Sequence, residues 1–160
     1  MNWHEKNAEF NALIKQLFHD DEWQKRAEAA RKLGLLKDGR ATNLMCKALR
    51  LEKDHTVINK LIEALGRIGD PRATLRLLEK LKEEQEKTEI DKFRIIYIIE
   101  GLIKLKDKRA LSYLGPLLES SDEDIKNLTI NAFDAIEPNW KEIIKKERNK
   151  TIQEIFSPKS

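Results

Sequence analysis

The most repeated chemical feature of the sequence is a pair of an acid and an arginine. The pair occurs three times, with its acids 32 and 37 residues apart, as Asp38/Arg40, Asp70/Arg72 and Asp107/Arg109. An arginine near the start of a helix opposes the helix dipole, so it requires an anionic neighbour. The recurrence favours a structural ladder, in which Arg72 would reach Asp38 or Asp107. In the alternative, the arginines form a row that binds phosphate or carboxylate groups of a ligand.

Other candidates for catalysis or metal binding are few. His4, His19 and His55 are not spaced as histidines that share a metal on one helix. Cys46 lies among apolar residues of a predicted helix, which indicates a buried small hydrophobic residue rather than a nucleophile. The glycines of Gly66-Arg67-Ile68-Gly69 mark a helix end rather than a phosphate loop. We therefore expect no catalytic, cofactor-binding or metal-binding residues.

A third set of polar side chains is suited to binding a partner. On the second helix of each predicted helix pair, residues off the apolar stripe should line an inner, concave row. The candidate partner-binding residues of this row are Asn43, Lys47, Arg50, Arg76, Lys80 and Tyr113. Glu79, Glu83 and Glu119 interrupt the basic residues, and Tyr113 is the row's one aromatic that could stack on a base. The pattern favours a mixed, solvated face.

The helices that must position these residues follow from apolar spacing. Trp3, Phe10, Leu13, Ile14, Leu17 and Phe18 recur at three- and four-residue intervals. They predict a helix over residues 3–19, which we interpret as an N-terminal cap. Four helix pairs are predicted after it, in repeats at about 21–52, 54–87, 90–119 and 121–156. A repeat of this length is typical of stacked helix pairs.

The clearest boundary between helices is Gly69-Asp70-Pro71. Glycine suits the left-handed residue that closes a helix, aspartate caps the next helix, and proline fits its first position. Elsewhere the pattern predicts a helical extension to about Lys87, a kink at Gly115-Pro116, and one last helix from Pro138 to about Phe156. Buried positions are expected at Leu65, Ile96, Ile99 and Leu102.

Composition limits the class of protein. The chain has 160 residues, enough for one domain, and it is 37% charged and 40% hydrophobic, as long amphipathic helices would be. A net charge of +3 neither requires nor excludes an anionic partner. The single cysteine cannot form a disulfide within the chain, and no apolar run suggests a signal peptide or a membrane span. We expect a soluble, cytoplasmic protein that does not bind membranes.

The helix ends resemble those of the phycobilisome-lyase type of HEAT-like repeat. The resemblance covers roughly Asp21 to Ile144. It is carried by Gly34, Gly66, Asp38-Gly39-Arg40-Ala41, Asp70-Pro71-Arg72-Ala73 and Asp107-Lys108-Arg109-Ala110. With the repeat length, it implies an all-α fold: a short right-handed superhelix, or HEAT-like solenoid, of about four helix pairs plus an N-terminal cap helix. Such repeats serve many functions, so lyase activity is not implied.

The expected function is that of a non-enzymatic scaffold or adaptor whose solenoid surface binds a protein partner. Two alternatives stay open. One is a nucleic-acid-binding protein that uses a basic concave face, and the other is an accessory subunit of an enzyme. We expect a monomer or a weak homodimer.

Overall fold

The computed structural model describes residues 2–158, which form helices joined by short turns and contain no strand. The α-helices are α1 (Trp3–His19), α2 (Trp23–Leu36), α3 (Ala41–Leu51), α4 (His55–Ile68), α5 (Thr74–Gln85), α6 (Lys92–Leu105), α7 (Leu111–Leu114), α8 (Glu123–Ile136), α9 (Trp140–Lys146) and α10 (Ile152–Phe156). Short 3-10 helices span Pro71–Ala73, Lys108–Ala110 and Gly115–Glu119. The predicted all-α fold class is confirmed. The chain divides into two compact units, Met1–Ala73 and Thr74–Ser160, which we call the N-terminal and C-terminal units.

The core of the N-terminal unit lies where α2 packs on α1 and α4, and α3 packs on α4. Leu33, Leu61 and Leu65 are completely buried there, as predicted for Leu65. Gly34 allows the backbones of α2 and α4 to approach closely. A Cβ atom at this position would lie only 2.8 Å from the Cβ atom of Ala64, closer than two carbons tolerate.

In the C-terminal unit, α6 is the central helix and packs on both α5 and α8. Ile99 and Leu102 are completely buried, as predicted. Ile96 is only half-buried and Phe93 is exposed, which corrects the prediction that Ile96 belongs to the core. Both residues lie on the side of α6 that α5 and α8 do not cover completely. A helix with apolar residues on every side is therefore not necessarily buried on every side.

The last predicted helix is broken into two. α9 ends at Lys146, and α10 begins at Ile152 after an irregular segment. The break lets α10 fold back against α7 and the 3-10 helix at Gly115–Glu119. A Cβ atom at Gly115 would lie 2.7 Å from Cγ2 of Ile152, so this glycine makes room for α10. A continuous helix would instead have carried the apolar residues of α10 into solvent.

Helix ends follow the predicted turn chemistry with two exceptions. Gly69 adopts the predicted left-handed conformation with φ of 76°. Lys37 and Lys106 take the same place after α2 and α6, each with φ of 50°, although neither is a glycine. The predicted extension to Lys87 stops two residues early because α5 ends at Gln85.

Candidate functional site

In the N-terminal unit, the predicted partner-binding residues lie together on one face of α3. Asn43, Lys47 and Arg50 are all exposed, and their spacing of four and three residues places them along one stripe. Leu44 and Leu51 are exposed beside them. Because α3 carries no acidic residue, this stripe combines positive charge with apolar surface.

In the C-terminal unit, the two predicted partner-binding cations of α5 are already paired. The Arg76 guanidinium forms an ion pair with Glu79, and Nζ of Lys80 lies 3.1 Å from the Glu83 carboxylate. Both cations are largely covered, with 18% of the Arg76 and 13% of the Lys80 side chain exposed. On α5, positive and negative side chains therefore alternate and pair along the helix, as the interrupting glutamates in the sequence indicated.

Tyr113 lies on α7, in the C-terminal unit, and is about half exposed. Its neighbours Ser112 and Leu114 are buried, so the ring projects from a firmly packed turn. An exposed tyrosine on a rigid backbone can contact a partner at little cost in conformational entropy.

The acid–arginine pairs hold their own turns together. Nε and Nη2 of Arg72 donate to Oδ2 of Asp70 at 2.9 and 2.6 Å, and Nη2 also donates to the Gly39 carbonyl at 3.0 Å. The other acid oxygen accepts the backbone N–H of Arg72. The prediction that Arg72 would pair with Asp38 or Asp107 was wrong. Its carboxylate partner is Asp70, which the tight turn brings within hydrogen-bonding distance of the guanidinium. The link to another turn runs through the Gly39 carbonyl instead.

The Asp70 carboxylate is strongly stabilised in its charged form. Its pKa falls from 3.8 to about 2, first because of the Arg72 guanidinium and also because of the Thr42 hydroxyl. That hydroxyl is buried beside the carboxylate without a hydrogen bond of ordinary geometry to it. In the C-terminal unit, Arg109 lowers the pKa of Asp107, with a smaller contribution from Thr74. These groups stabilise turns, since a carboxylate held charged by its own arginine is a poor proton acceptor.

The remaining candidates do not assemble into a reactive centre within residues 2–158. Cys46 is buried in α3, whereas His4, His19 and His55 are exposed on separate helix termini. No three histidine, cysteine, aspartate or glutamate side chains in that part of the chain are grouped to hold a metal ion. Of the helices described, none is both long enough and apolar enough to cross a membrane.

Sequence reasoning missed an ion pair at one end of the N-terminal unit. Nε and Nη2 of Arg26 donate to the two carboxylate oxygens of Glu52 at 3.0 and 3.1 Å. Arg26 also donates to the carbonyls of Asp20 and Asp21. The pair lines an open cleft of about 370 Å³, beside the exposed Leu51. No sequence signal pointed to it, because the partners are 26 residues apart and the pair does not recur.

Comparison with known proteins identifies the repeat. The sequence matches the family of HEAT repeats over residues 10–92. Bilin biosynthesis protein PecE of Nostoc sp. (strain PCC 7120) is 30% identical over 129 residues, which are 77% of this chain and 49% of that protein. Bilin biosynthesis protein PecE of Mastigocladus laminosus is 33% identical over 101 residues, 63% of this chain and 35% of that protein.

The chain thus spans about half, or less, of the length of these curated relatives. The match to HEAT repeats covers more than half of the chain itself, and it includes the helices that meet at Gly34 and the turn at Asp70 and Arg72. The chain belongs to the HEAT repeat family.

Proposed function

We propose that this chain is a non-enzymatic scaffold or adaptor that binds a protein partner through the exposed faces of its second helices. The observation that carries the proposal is the contrast between two sets of polar residues. Asp70 and Arg72 satisfy each other within their turn. Asn43 and Lys47 are exposed on α3, where they stabilise no turn. Exposed polar and apolar side chains on a rigid helix supply what a protein interface needs.

The accessory-subunit version of this function gains support from the relatives. Two proteins named for bilin biosynthesis are similar to this chain in sequence, although this chain matches only part of each. In this version the partner is an enzyme, and the chain binds it without contributing a catalytic residue. A cytoplasmic location suits both versions, because the single cysteine needs no oxidising compartment.

A nucleic-acid partner is the competing function. A groove for a nucleic acid needs several cations along the backbone path and aromatic rings for stacking. Arg76 and Lys80 on α5 are neutralised by Glu79 and Glu83, which weakens this possibility. Gel-shift titrations with duplex and single-stranded nucleic acid at low and high salt test it directly. Binding that falls steeply with salt would favour the competing function.

The main test is affinity capture from the native cell, followed by reconstitution of the complex from purified proteins. Two variant baits carry changes at the proposed surfaces: Lys47→Glu with Arg50→Glu, and Tyr113→Ala. The control is Lys37→Glu with Lys104→Glu, which changes the net charge as much as the first bait but at exposed positions at the ends of the first helices α2 and α6. Loss of the purified partner with either surface variant, but not with the control, supports the proposal. Equal binding by all four proteins contradicts it.

A further inference from the structure

We propose that the binding face of α3 continues onto α1, and that the two helices together bind an extended acidic segment of a partner protein. The residues responsible would be Asn11 and Lys15 on α1, with Asn43 and Lys47 on α3. This inference rests on the proposed function. It adds a second helix to the surface and specifies the chemistry of the partner.

The first step is that α1 takes the place of a second helix beside α3. Arg72 donates to the Gly39 carbonyl at 3.0 Å, and Arg40 donates to Oδ1 of Asn7 at 2.9 Å. In both cases the acceptor lies 33 residues before the arginine. Asn7 therefore corresponds to Gly39, and residues of α1 and α3 that are 32 positions apart are equivalent.

The buried residues agree with this register. Leu13 corresponds to Met45 and Leu17 to Leu49, and all four are buried. In the same register, Phe10 of α1 corresponds to Thr42 of α3. The guanidinium of Arg40 lies 4.5 Å from the centre of the Phe10 ring. α1 thus follows the repeat in its contacts, although its sequence has no Asp–Arg turn before it.

The same register brings like side chains to the exposed face. Asn11 corresponds to Asn43, and Lys15 corresponds to Lys47; all four are exposed. On each helix the asparagine and lysine are four residues apart, so they lie on one side of it. Because α1 and α3 are in contact, an Asn–Lys pair occurs twice on adjacent helices.

The two lysines are not neutralised within residues 2–158. Neither Nζ atom has a carboxylate within the 4 Å of an ion pair, whereas Arg76 and Lys80 on α5 each pair with a glutamate three residues later. The nearest acids along α1 have other roles or positions. Glu9 is half-buried, and Oδ1 of Asp20 accepts the N–H of Glu22.

An acidic, extended protein segment fits this arrangement. A lysine ammonium pairs with carboxylates, while an asparagine amide can both donate to and accept from peptide groups. Packed helices are about 8–10 Å apart, a distance that roughly three residues of extended chain would span. Leu44 and Leu51 offer apolar contacts beside Lys47. The four aligned positions include no aromatic residue, which disfavours a nucleic acid.

The probe for the test is a fluorescein-labelled peptide of about twelve residues, composed of Asp, Glu and Leu, with binding followed by fluorescence anisotropy. Lys15→Glu with Lys47→Glu should weaken binding by about tenfold or more, because two attractive charges become repulsive. The control variant, Lys82→Glu with Lys104→Glu, has the same net charge and should bind within about twofold of the wild type. Lys15→Arg with Lys47→Arg should retain binding.

A second variant pair separates the amides from the charges. Asn11→Ala with Asn43→Ala should weaken binding while leaving its salt dependence unchanged, since no charge is removed. Absence of peptide binding, equal losses in the test and control variants, or tighter binding of oligothymidylate would each overturn the inference. If the partner of the proposed function depends on Tyr113 but not on Lys15 and Lys47, the proposed function stands and this inference fails.

Discussion

At the scale of single residues, polar groups in this chain serve two distinct purposes. The carboxylate of Asp70 and the guanidinium of Arg72 saturate one another inside a turn. The ammonium of Lys47 and the amide of Asn43 lie exposed on α3. Sequence alone identified both sets, but it could not separate them, because an arginine's partner depends on side-chain conformation and on the path of the turn.

The Asp70–Arg72 pair makes stability depend on pH in the acid range. The folded-state pKa of Asp70, about 2, is below its ordinary value of 3.8. The stability that the ionised Asp70 adds to the folded protein is therefore fully present above about pH 5 and is lost as the pH falls from about 4 through 2. Because Arg72 is 56% exposed, solvent screening keeps this contribution to the unfolding free energy small.

The measurement is urea unfolding of the wild type and of Asp70→Asn between pH 2 and 7. The difference in unfolding free energy should be largest near neutral pH and should shrink toward pH 2. Arg72→Lys should recover only part of the loss seen in Arg72→Ala, because a single ammonium cannot reproduce the guanidinium's fixed donors to both the Asp70 carboxylate and the Gly39 carbonyl. A difference that stays constant with pH would refute the role given to the carboxylate.

Two lysines with positive φ are sites where glycine should improve stability. Lys106 has φ of 50°, a conformation that costs a side-chain-bearing residue about 1–2 kcal/mol. Lys106→Gly should raise the unfolding free energy by about 0.5–1 kcal/mol after the greater entropy of unfolded glycine is included. The reciprocal change, Gly69→Ala, should lower it by about 1 kcal/mol, although no atom obstructs the new methyl group. Thermal melting of both variants tests whether Lys106→Gly raises stability and Gly69→Ala lowers it.

At the scale of elements, the closest packing in the N-terminal unit occurs where α2 meets α4. Gly34→Ala would place its methyl 2.8 Å from the Cβ atom of Ala64 and should cost about 1–3 kcal/mol. Ala64→Gly in the same chain should recover only part of this, since the Cα atom of Ala64 is also 2.9 Å away.

The matched control for this double-mutant cycle is Gly39→Ala. A methyl group there would meet its nearest neighbour, Nη2 of Arg72, at 3.7 Å, an ordinary contact distance. It should change the unfolding free energy by less than about 0.5 kcal/mol. Equal losses at Gly34 and Gly39 would contradict the importance of the close approach of α2 and α4, because alanine by itself is more favourable than glycine within a helix such as α2.

The central helix of the C-terminal unit supplies a contrast between buried and exposed apolar residues. Ile99 is completely buried, so Ile99→Ala should cost about 2–5 kcal/mol if the cavity does not collapse. Phe93, on the same helix, is 68% exposed, and Phe93→Ala should cost less than about 0.5 kcal/mol. Chemical denaturation of both variants measures the difference, and a small loss at Ile99 would contradict its place in the core.

At the scale of the whole molecule, the sequence predicted the repeat, the helical class of the fold and three of the four buried positions that it named. It did so because helix boundaries carry turn chemistry, as at Gly69, and because buried faces repeat every three to four residues. It did not predict the break after Lys146, since no glycine or proline marks that point. The close approach of Ile152 to Gly115 is a long-range contact that periodicity does not encode.

The exposure and the pairing of the candidate residues were predictable only in part, because Asn43 and Lys47 are exposed whereas Arg76 and Lys80 are largely covered. Lys47 and Lys80 look alike in the sequence, yet Glu83 neutralises only Lys80. Arg76 and Lys80 on α5 are each paired with a glutamate, whereas Lys47 on α3 is exposed and has no acidic residue on its own helix. The net charge of +3 is therefore a poor guide to where an anionic partner would bind.

The packing of Trp140 gives the protein a built-in optical probe. Its indole is 9% exposed, lies 5.1 Å from the ring of Phe133 and donates from Nε1 to Asp134 at 2.7 Å. Trp3 and Trp23 are 68% and 41% exposed, so collisional quenchers such as acrylamide should reach them far more readily. In a variant with Trp3 and Trp23 replaced by phenylalanine, the fluorescence of Trp140 should be blue-shifted and weakly quenched by acrylamide. Its red shift on denaturation would then report the loosening of α8 and α9 alone.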